Sequence, residues 1–344
     1  MLMILVVVLI SRIEPESNPE IVLLKEKEFK TFMNLTGSEY KNIPDPKVWK
    51  KVLPEVKSIT IKSTLDRTEQ PALFYDSGSA RKKPLLVALH SWSENYRQHY
   101  SVPYGLWAVQ NDWVFIHPDY RGPFNNPEAT ASEFAIQDIL DAVAYAKKNA
   151  GIDESRIYIA GFSGGAMVSL IMAGRYPDIW AGAVAWVPVY DLEEWYSTTK
   201  NAKHDYSSQI AASCGGPPLP GTRAAAECKK RSPSKYLKNA RGKVPVYIAS
   251  GIDDRFVPPG HSIEAFNDLA DEKDRISPED IRYINKNYRL PEHLIGRYSD
   301  RLYEDSGVDL LLQKTSDRAV LNIFEGGHDI IYNAGLFWLS KQRK

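Results

Sequence analysis

The sequence predicts an α/β fold: a three-layer αβα sandwich on a mostly parallel, doubly wound sheet, with two insertions forming a cap. Three observations carry that expectation. Short apolar runs suited to buried strands alternate with stretches of helical periodicity, the signature of a parallel sheet. The 344 residues are enough to bury a full core. A single G-x-S-x-G sits where one such strand gives way to a helix.

Composition excludes more than it assigns. Lys plus Arg number 43 and Asp plus Glu 43, so the formal net charge is zero, with 43% apolar and 25% charged residues. A neutral chain offers no electrostatic footprint for a nucleic-acid backbone. With 11% aromatics and no polar tract, it is not a disordered chain.

The elements follow in order. Met1 to Ile10 is a continuous apolar run, about half the length that a membrane-spanning helix needs. It has the length of a signal-peptide core, although no basic residue precedes it and no A-x-A site follows. Secretion or export to a periplasm through an atypical signal is the expectation; a buried first strand and a cytoplasmic protein are the alternative. The sequon Asn34-Leu35-Thr36 matters only if the source glycosylates secreted proteins. Residues 1–55 read as this apolar segment plus a proline-punctuated arm with one helical stretch over 24–33.

From Val56 the pattern sharpens. Strands are expected at 56–62, 72–75, 84–90, 113–118, 156–160, 181–187, 244–250 and 319–324, with helices at 104–111, 132–149, 164–176 and 330–342. Ser132 is placed as an N-cap. Two stretches, about 190–242 and 274–307, are too long for ordinary connections and are read as insertions beside a site. Ser277-Pro278-Glu279-Asp280 and Leu290-Pro291-Glu292 look like helix starts. Within the first insertion Cys214 and Cys228 enclose a loose Gly- and Pro-rich loop, where a disulfide would restrain the chain; two reduced cysteines are the alternative.

Gly161-Phe162-Ser163-Gly164-Gly165 is the strongest chemical signal. A serine thrown off a sharp strand-to-helix turn takes strained backbone angles and tolerates only small neighbours. The helix behind it aims N–H groups at a developing oxyanion. This elbow, a downstream acid and a final histidine, in the chain order Ser, Asp, His, resemble the α/β-hydrolase superfamily. The likeness is strongest to dienelactone-hydrolase and prolyl-oligopeptidase-type catalytic domains, and it covers roughly Val56 to Leu339. It makes 56–344 one hydrolase domain.

The resemblance implies the partners of Ser163. Gly251-Ile252-Asp253-Asp254-Arg255-Phe256-Val257-Pro258 fits the family pattern G-x-x-D-x-x-V-P and implies Asp254 as triad acid, with Asp253 as rival. His328, in Glu325-Gly326-Gly327-His328 before the closing helix, is the implied base; His90 and His117 end strands and compete. Gly164 N–H is one expected oxyanion donor. The second comes from the loop Leu89-His90-Ser91-Trp92-Ser93, where the family commonly has H-G-G or H-G-x and this chain has Ser91. Trp92 N–H is the preferred donor and Ser91 N–H the second choice. The Trp92 indole either lines the acyl site or packs the loop. Tyr120, Arg121, Trp186 and Tyr190 are further candidates for substrate contact, with an internal salt bridge the alternative for Arg121. Glu193-Glu194 reads as a solvated pair or an amine-binding one.

No cofactor and no metal site are expected, since the histidines lack H-x-x-x-H and H-E-x-x-H spacing. Three functions compete: a carboxylic ester hydrolase on a small or medium acyl ester, a prolyl-oligopeptidase-type peptidase, and a non-catalytic scaffold. Three triad residues in fitting contexts disfavour the scaffold. The absence of blade-like repeats ahead of the first strand favours the esterase over the peptidase.

Overall fold

The computed structural model describes residues 20–25, 45–200, 205–296 and 298–344. The apolar run 1–10, the sequon at 34–36 and most of the helix expected over 24–33 lie outside the described residues. The strands are β1 (Lys57–Lys62), β2 (Glu69–Tyr75), β3 (Lys83–Leu89), β4 (Val114–Pro118), β5 (Ile152–Phe162), β6 (Gly182–Trp186), β7 (Val246–Gly251), β8 (Leu310–Ser316) and β9 (Ala319–Phe324). The helices are α1 (Asp45–Val52), α2 (Val102–Gln110), α3 (Glu133–Asn149), α4 (Gly164–Arg175), α5 (Leu192–Thr199), α6 (Tyr206–Cys214), α7 (Arg223–Lys230), α8 (Gly260–Leu269), α9 (Pro278–Asn287), α10 (Arg301–Asp305) and α11 (Tyr332–Ser340).

All nine strands join one sheet in the order β1-β2-β4-β3-β5-β6-β7-β9-β8. The five central pairings are parallel; β1–β2, β2–β4 and β8–β9 are antiparallel. Every residue of β3, β4, β6 and β7 is buried, because helices cover both faces of a parallel sheet. One face packs on Ile136 and Ile139 of α3, Met167 and Ile171 of α4, and Phe266 of α8. The other packs on Trp49 of α1, Trp107 of α2 and Leu336 of α11. This is the three-layer, doubly wound α/β fold that the sequence predicts. Ser132 caps α3 as expected, its hydroxyl accepting from Ala135 N–H at 3.2 Å.

Three elements differ from expectation. The N-terminal arm is not loose where it is described. Val48, Trp49 and Leu53 are buried, Trp49 Nε1 donates to Arg97 O at 2.9 Å, and the Leu24 backbone exchanges two 2.9 Å hydrogen bonds with the Asn333 side chain. The strand β8 was not expected; LLLQKTS pairs antiparallel with β9 as an edge strand. Nor was α8 expected. Its apolar positions Ile263, Phe266 and Leu269 are diluted by the polar residues His261 and Glu264.

The first insertion holds α5, α6 and α7. Cys214 at the end of α6 is bonded to Cys228 in α7 across a separation of 14 residues. Closing a loop of this size restricts the unfolded chain and stabilises the fold by about 3 kcal/mol. The second insertion does less for a cap than expected. Ser277 caps α9 by accepting from Asp280 N–H at 3.0 Å, but Leu290-Pro291-Glu292 opens only a single turn, Glu292–Leu294. Tyr303 of α10 is buried in the core, where its hydroxyl meets Tyr247 and Asn322.

Candidate active site

Ser163 stands between β5 and α4 with φ 55° and ψ −117°, the strained conformation of an elbow. Its neighbours are small because there is no room for more. A Cβ on Gly161 would lie 2.3 Å from the Gly165 carbonyl carbon, and one on Gly165 would lie 2.5 Å from Leu89 O. Ser163 N–H donates to Trp186 O at 2.8 Å, which fixes the turn to β6.

The acid stands at the carboxyl end of β7. Asp254 is fully buried, and its Oδ2 lies 2.7 Å from His328 Nδ1. Its Oδ1 accepts from Phe256 N–H at 2.9 Å and Val257 N–H at 3.0 Å, so one oxygen is held by the backbone and the other is left for the imidazole. The rival Asp253 is solvent-exposed and pairs with Arg255, whose Nε donates to it at 2.8 Å. The His328 ring lies between Phe162, centroid 4.7 Å away, and Phe256 at 5.4 Å.

The loop after β3 meets the elbow directly. A Cβ on Gly164 would sit 2.8 Å from the Trp92 nitrogen, so the loop backbone packs directly against the first residue of α4. Ser91 N–H is engaged elsewhere, donating to Gln98 Oε1 at 2.9 Å. Trp92 N–H meets no protein acceptor among the described residues. His90, buried behind the loop, braces it: Nδ1 lies 2.9 Å from Ser91 O and Nε2 2.6 Å from Asp119 O. Burial lowers the pKa of His90, and does so strongly for His117, so neither resembles a solvent-exposed imidazole. Of the three candidate histidines, it is His328 that hydrogen-bonds Asp254.

The remaining candidates fare differently. The Trp92 indole packs the loop. Its Nε1 donates to Gln209 Oε1 at 2.7 Å, and its ring meets Trp195 edge-on at 4.7 Å and Phe124 at 5.3 Å. Tyr120 is a core residue, stacked on His90 at 4.1 Å with its hydroxyl donating to His90 O at 2.6 Å. Trp186 is fully buried against Tyr247 and Phe324. Neither can touch a substrate. Arg121 takes the internal alternative: its side chain is 5% exposed and donates to Asp138 at 2.6 Å and Asp66 at 2.8 Å. Tyr190 turns away to a cavity of about 530 Å³, and its hydroxyl donates to Asp268 at 2.6 Å. Trp92 is surrounded by Trp195, one of the aromatics that the sequence clusters with Trp186, Tyr190 and Tyr196 around the first insertion, and by Phe124 and Gln209, for which the sequence carries no signal.

A second titratable group lies beside that cavity. Burial, reinforced by the neighbouring Glu194 carboxyl, pushes Glu264 up to about 8. Glu194 is thus half of a carboxyl pair with Glu264 rather than with Glu193.

Comparison with known proteins gives the family of the chain. By sequence, the chain is 28% identical over 116 residues to poly(3-hydroxyalkanoate) depolymerase C of Paucimonas lemoignei, covering 31% of this chain and 28% of that protein. It is 27% identical over 124 residues to feruloyl esterase B of Talaromyces stipitatus, covering 34% and 35%. To a probable acetylxylan esterase A of Aspergillus flavus it is 26% identical over 125 residues, covering 34% and 41%. The chain therefore spans about a third of the length of these curated relatives. In structure it is similar to the acylaminoacyl peptidase of Pyrococcus horikoshii, with TM-score 0.54, 16% identity, and coverage of 79% of this chain and 37% of that one. A thermostable esterase matches with TM-score 0.50, 15% identity and coverage of 85% and 64%. The prolyl oligopeptidase family matches residues 107–297, more than half of the chain and the stretch that holds both the elbow and the Asp254 turn. The chain belongs to the prolyl oligopeptidase family of serine hydrolases.

Proposed function

We propose that this protein is a carboxylic ester hydrolase that works through an acyl-enzyme on Ser163, with His328 as base and Asp254 as the acid that orients it. The observation that carries the reading is the 2.7 Å contact between His328 Nδ1 and a fully buried Asp254, on the same sheet edge as a serine held at φ 55°. With Nδ1 committed to Asp254, the proton-accepting nitrogen is Nε2.

Ser163 Oγ attacks the acyl carbon while its proton passes to His328 Nε2. The carbonyl oxygen becomes an oxyanion, for which the Gly164 and Trp92 N–H groups are the donors. The C–O bond then breaks, and the alkoxide leaves with the proton from Nε2. Water repeats the sequence against the acyl-enzyme and releases the acid. The fixed donors act where charge develops, so they favour the transition state over the bound ester.

Esters are preferred over amides because the relatives by sequence carry esterase and depolymerase names. The family match and the peptidase neighbour keep amide cleavage as the competing reading. A parallel panel of nitrophenyl esters and aminoacyl nitroanilides decides between them. Ester turnover is expected to dominate and to vanish, with fluorophosphonate labelling, in Ser163→Ala. Faster amide turnover would reverse the preference, and a Ser163→Ala protein that still labels would remove the nucleophile. The Cys214–Cys228 bridge supports an oxidising compartment, in keeping with export. Among the described residues no helix is long and apolar enough to cross a membrane. We read α5 to α7 as the cap of a single hydrolase domain.

A further inference from the structure

Apart from the triad, one cluster has the composition and placement of a ligand site. His261 and Glu264 stand three residues apart on α8, and so share a face of that helix. Glu194 on α5 meets them from the first insertion. One ligating atom from each residue lies within 4.8 Å of those of the other two. The donors come from two helices that belong to different parts of the chain, which is why no histidine spacing announced them.

Two features show that the cluster is not satisfied by the protein alone. His261 is fully buried; Tyr190 N–H reaches its Nδ1 at a long 3.3 Å, and Nε2 has no hydrogen-bond partner among the described residues. A buried ring nitrogen without a partner is uncommon, and beside two carboxyls a bound ion is one way to satisfy it. The nearby cations are already engaged: Lys229 with Asp191, Lys238 with Asp268 and Arg282 with Glu279. Glu194 and Glu264 also line the cavity of about 530 Å³, which gives an ion a way in.

We propose that Glu194, His261 and Glu264 bind a divalent transition-metal ion of the Zn²⁺ or Mn²⁺ type. One imidazole with two carboxylates suits such ions, whereas Mg²⁺ and Ca²⁺ favour oxygen ligands throughout. On binding, the ion is held by one oxygen of each carboxylate. It takes the Nε2 lone pair, and the ring's proton moves to Nδ1 in place of the long Tyr190 contact. The consequence is mechanical. Trp195, next to Glu194, donates to Phe256 O at 2.9 Å, within the turn that holds Asp254. An ion that ties α5 to α8 therefore stiffens the wall between the cap and the catalytic acid. This inference is independent of the ester reading.

The test uses the full chain, stripped with a chelator and titrated with ZnCl₂ and MnCl₂ by calorimetry, with melting curves recorded in parallel. One equivalent is expected to bind, with a melting temperature that climbs with free ion. Glu194→Gln and Glu264→Gln, both isosteric and checked for native circular dichroism, should each weaken binding at least tenfold. Asp254→Asn should leave it intact, which separates this site from the triad imidazole. No heat and no shift in melting would overturn the proposal. So would undiminished binding in both glutamine variants, or an equal response to MgCl₂, which would show that the imidazole takes no part.

Discussion

Asp254 and His328 are 74 residues apart in sequence, and their side chains meet at 2.7 Å. Because backbone N–H groups hold the other oxygen of Asp254, the carboxylate cannot rotate away without giving up two hydrogen bonds. Asp254→Asn should therefore lower kcat on a nitrophenyl ester by about 10⁴, the scale seen when a triad acid loses its charge and the imidazole its tautomer. Asp253→Asn should change it by no more than about twofold, since an exposed carboxylate paired with Arg255 contributes little. Steady-state kinetics on the two variants compares them directly.

The space between Gly164 and Trp92 gives a second expectation. A methyl at Gly164 meets the Trp92 nitrogen at 2.8 Å and forces the loop outward. Gly164→Ala should lose about 10²–10³ in kcat, the value of one oxyanion donor, with a smaller effect on KM. A fall confined to KM would mean that the loop binds substrate without stabilising the oxyanion.

Arg121 offers a test of burial against substrate binding. Arg121→Met leaves Asp138, 1% exposed, with a buried charge and no ion-pair partner. The expected loss is about 3–5 kcal/mol in urea unfolding. KM should not change in the protein that stays folded.

The same arginine sets an acid limit. Its hydrogen bond to Asp66 holds that carboxyl well below the ordinary carboxylate range. A depressed native pKa stabilises the fold above the unfolded value of 3.8 and is lost as pH falls below it. Stability measured from pH 5 downward should therefore fall less steeply in Asp66→Asn than in wild type. Parallel curves would assign the acid limit to other groups.

The bridge between α6 and α7 predicts a fifth outcome. Cys214→Ser with Cys228→Ser, or reduction of the wild type, should cost about 3 kcal/mol of unfolding free energy. Equal stability of the oxidised and reduced proteins would show that the cap does not take part in cooperative unfolding.

Most of the sheet was legible because buried parallel strands are continuous apolar runs, and β3, β4, β6 and β7 are of that kind. The edge strand β8 alternates weakly, and α8 carries polar residues where a core-facing helix is usually apolar; periodicity cannot find either. The elbow was legible because its glycines answer a local steric demand. Tyr120 and Trp186 were misread for the opposite reason. Position at the carboxyl end of a strand says that a residue is near the site, but the direction of its side chain is set by packing that the sequence does not display. Asp254 over Asp253 came from family spacing, and the backbone N–H groups of Phe256 and Val257 supply the physical reason for it.

Trp92 joins three parts of the molecule through one residue. Its backbone packs against the elbow, its carbonyl accepts from Phe124 N–H at 2.8 Å, and its indole donates to Gln209 on α6. Lifting α6 away from the sheet must either break the indole bond or drag the Trp92 backbone with it. Any shift of α6 is thereby coupled, through a single indole hydrogen bond, to the loop that packs against the elbow.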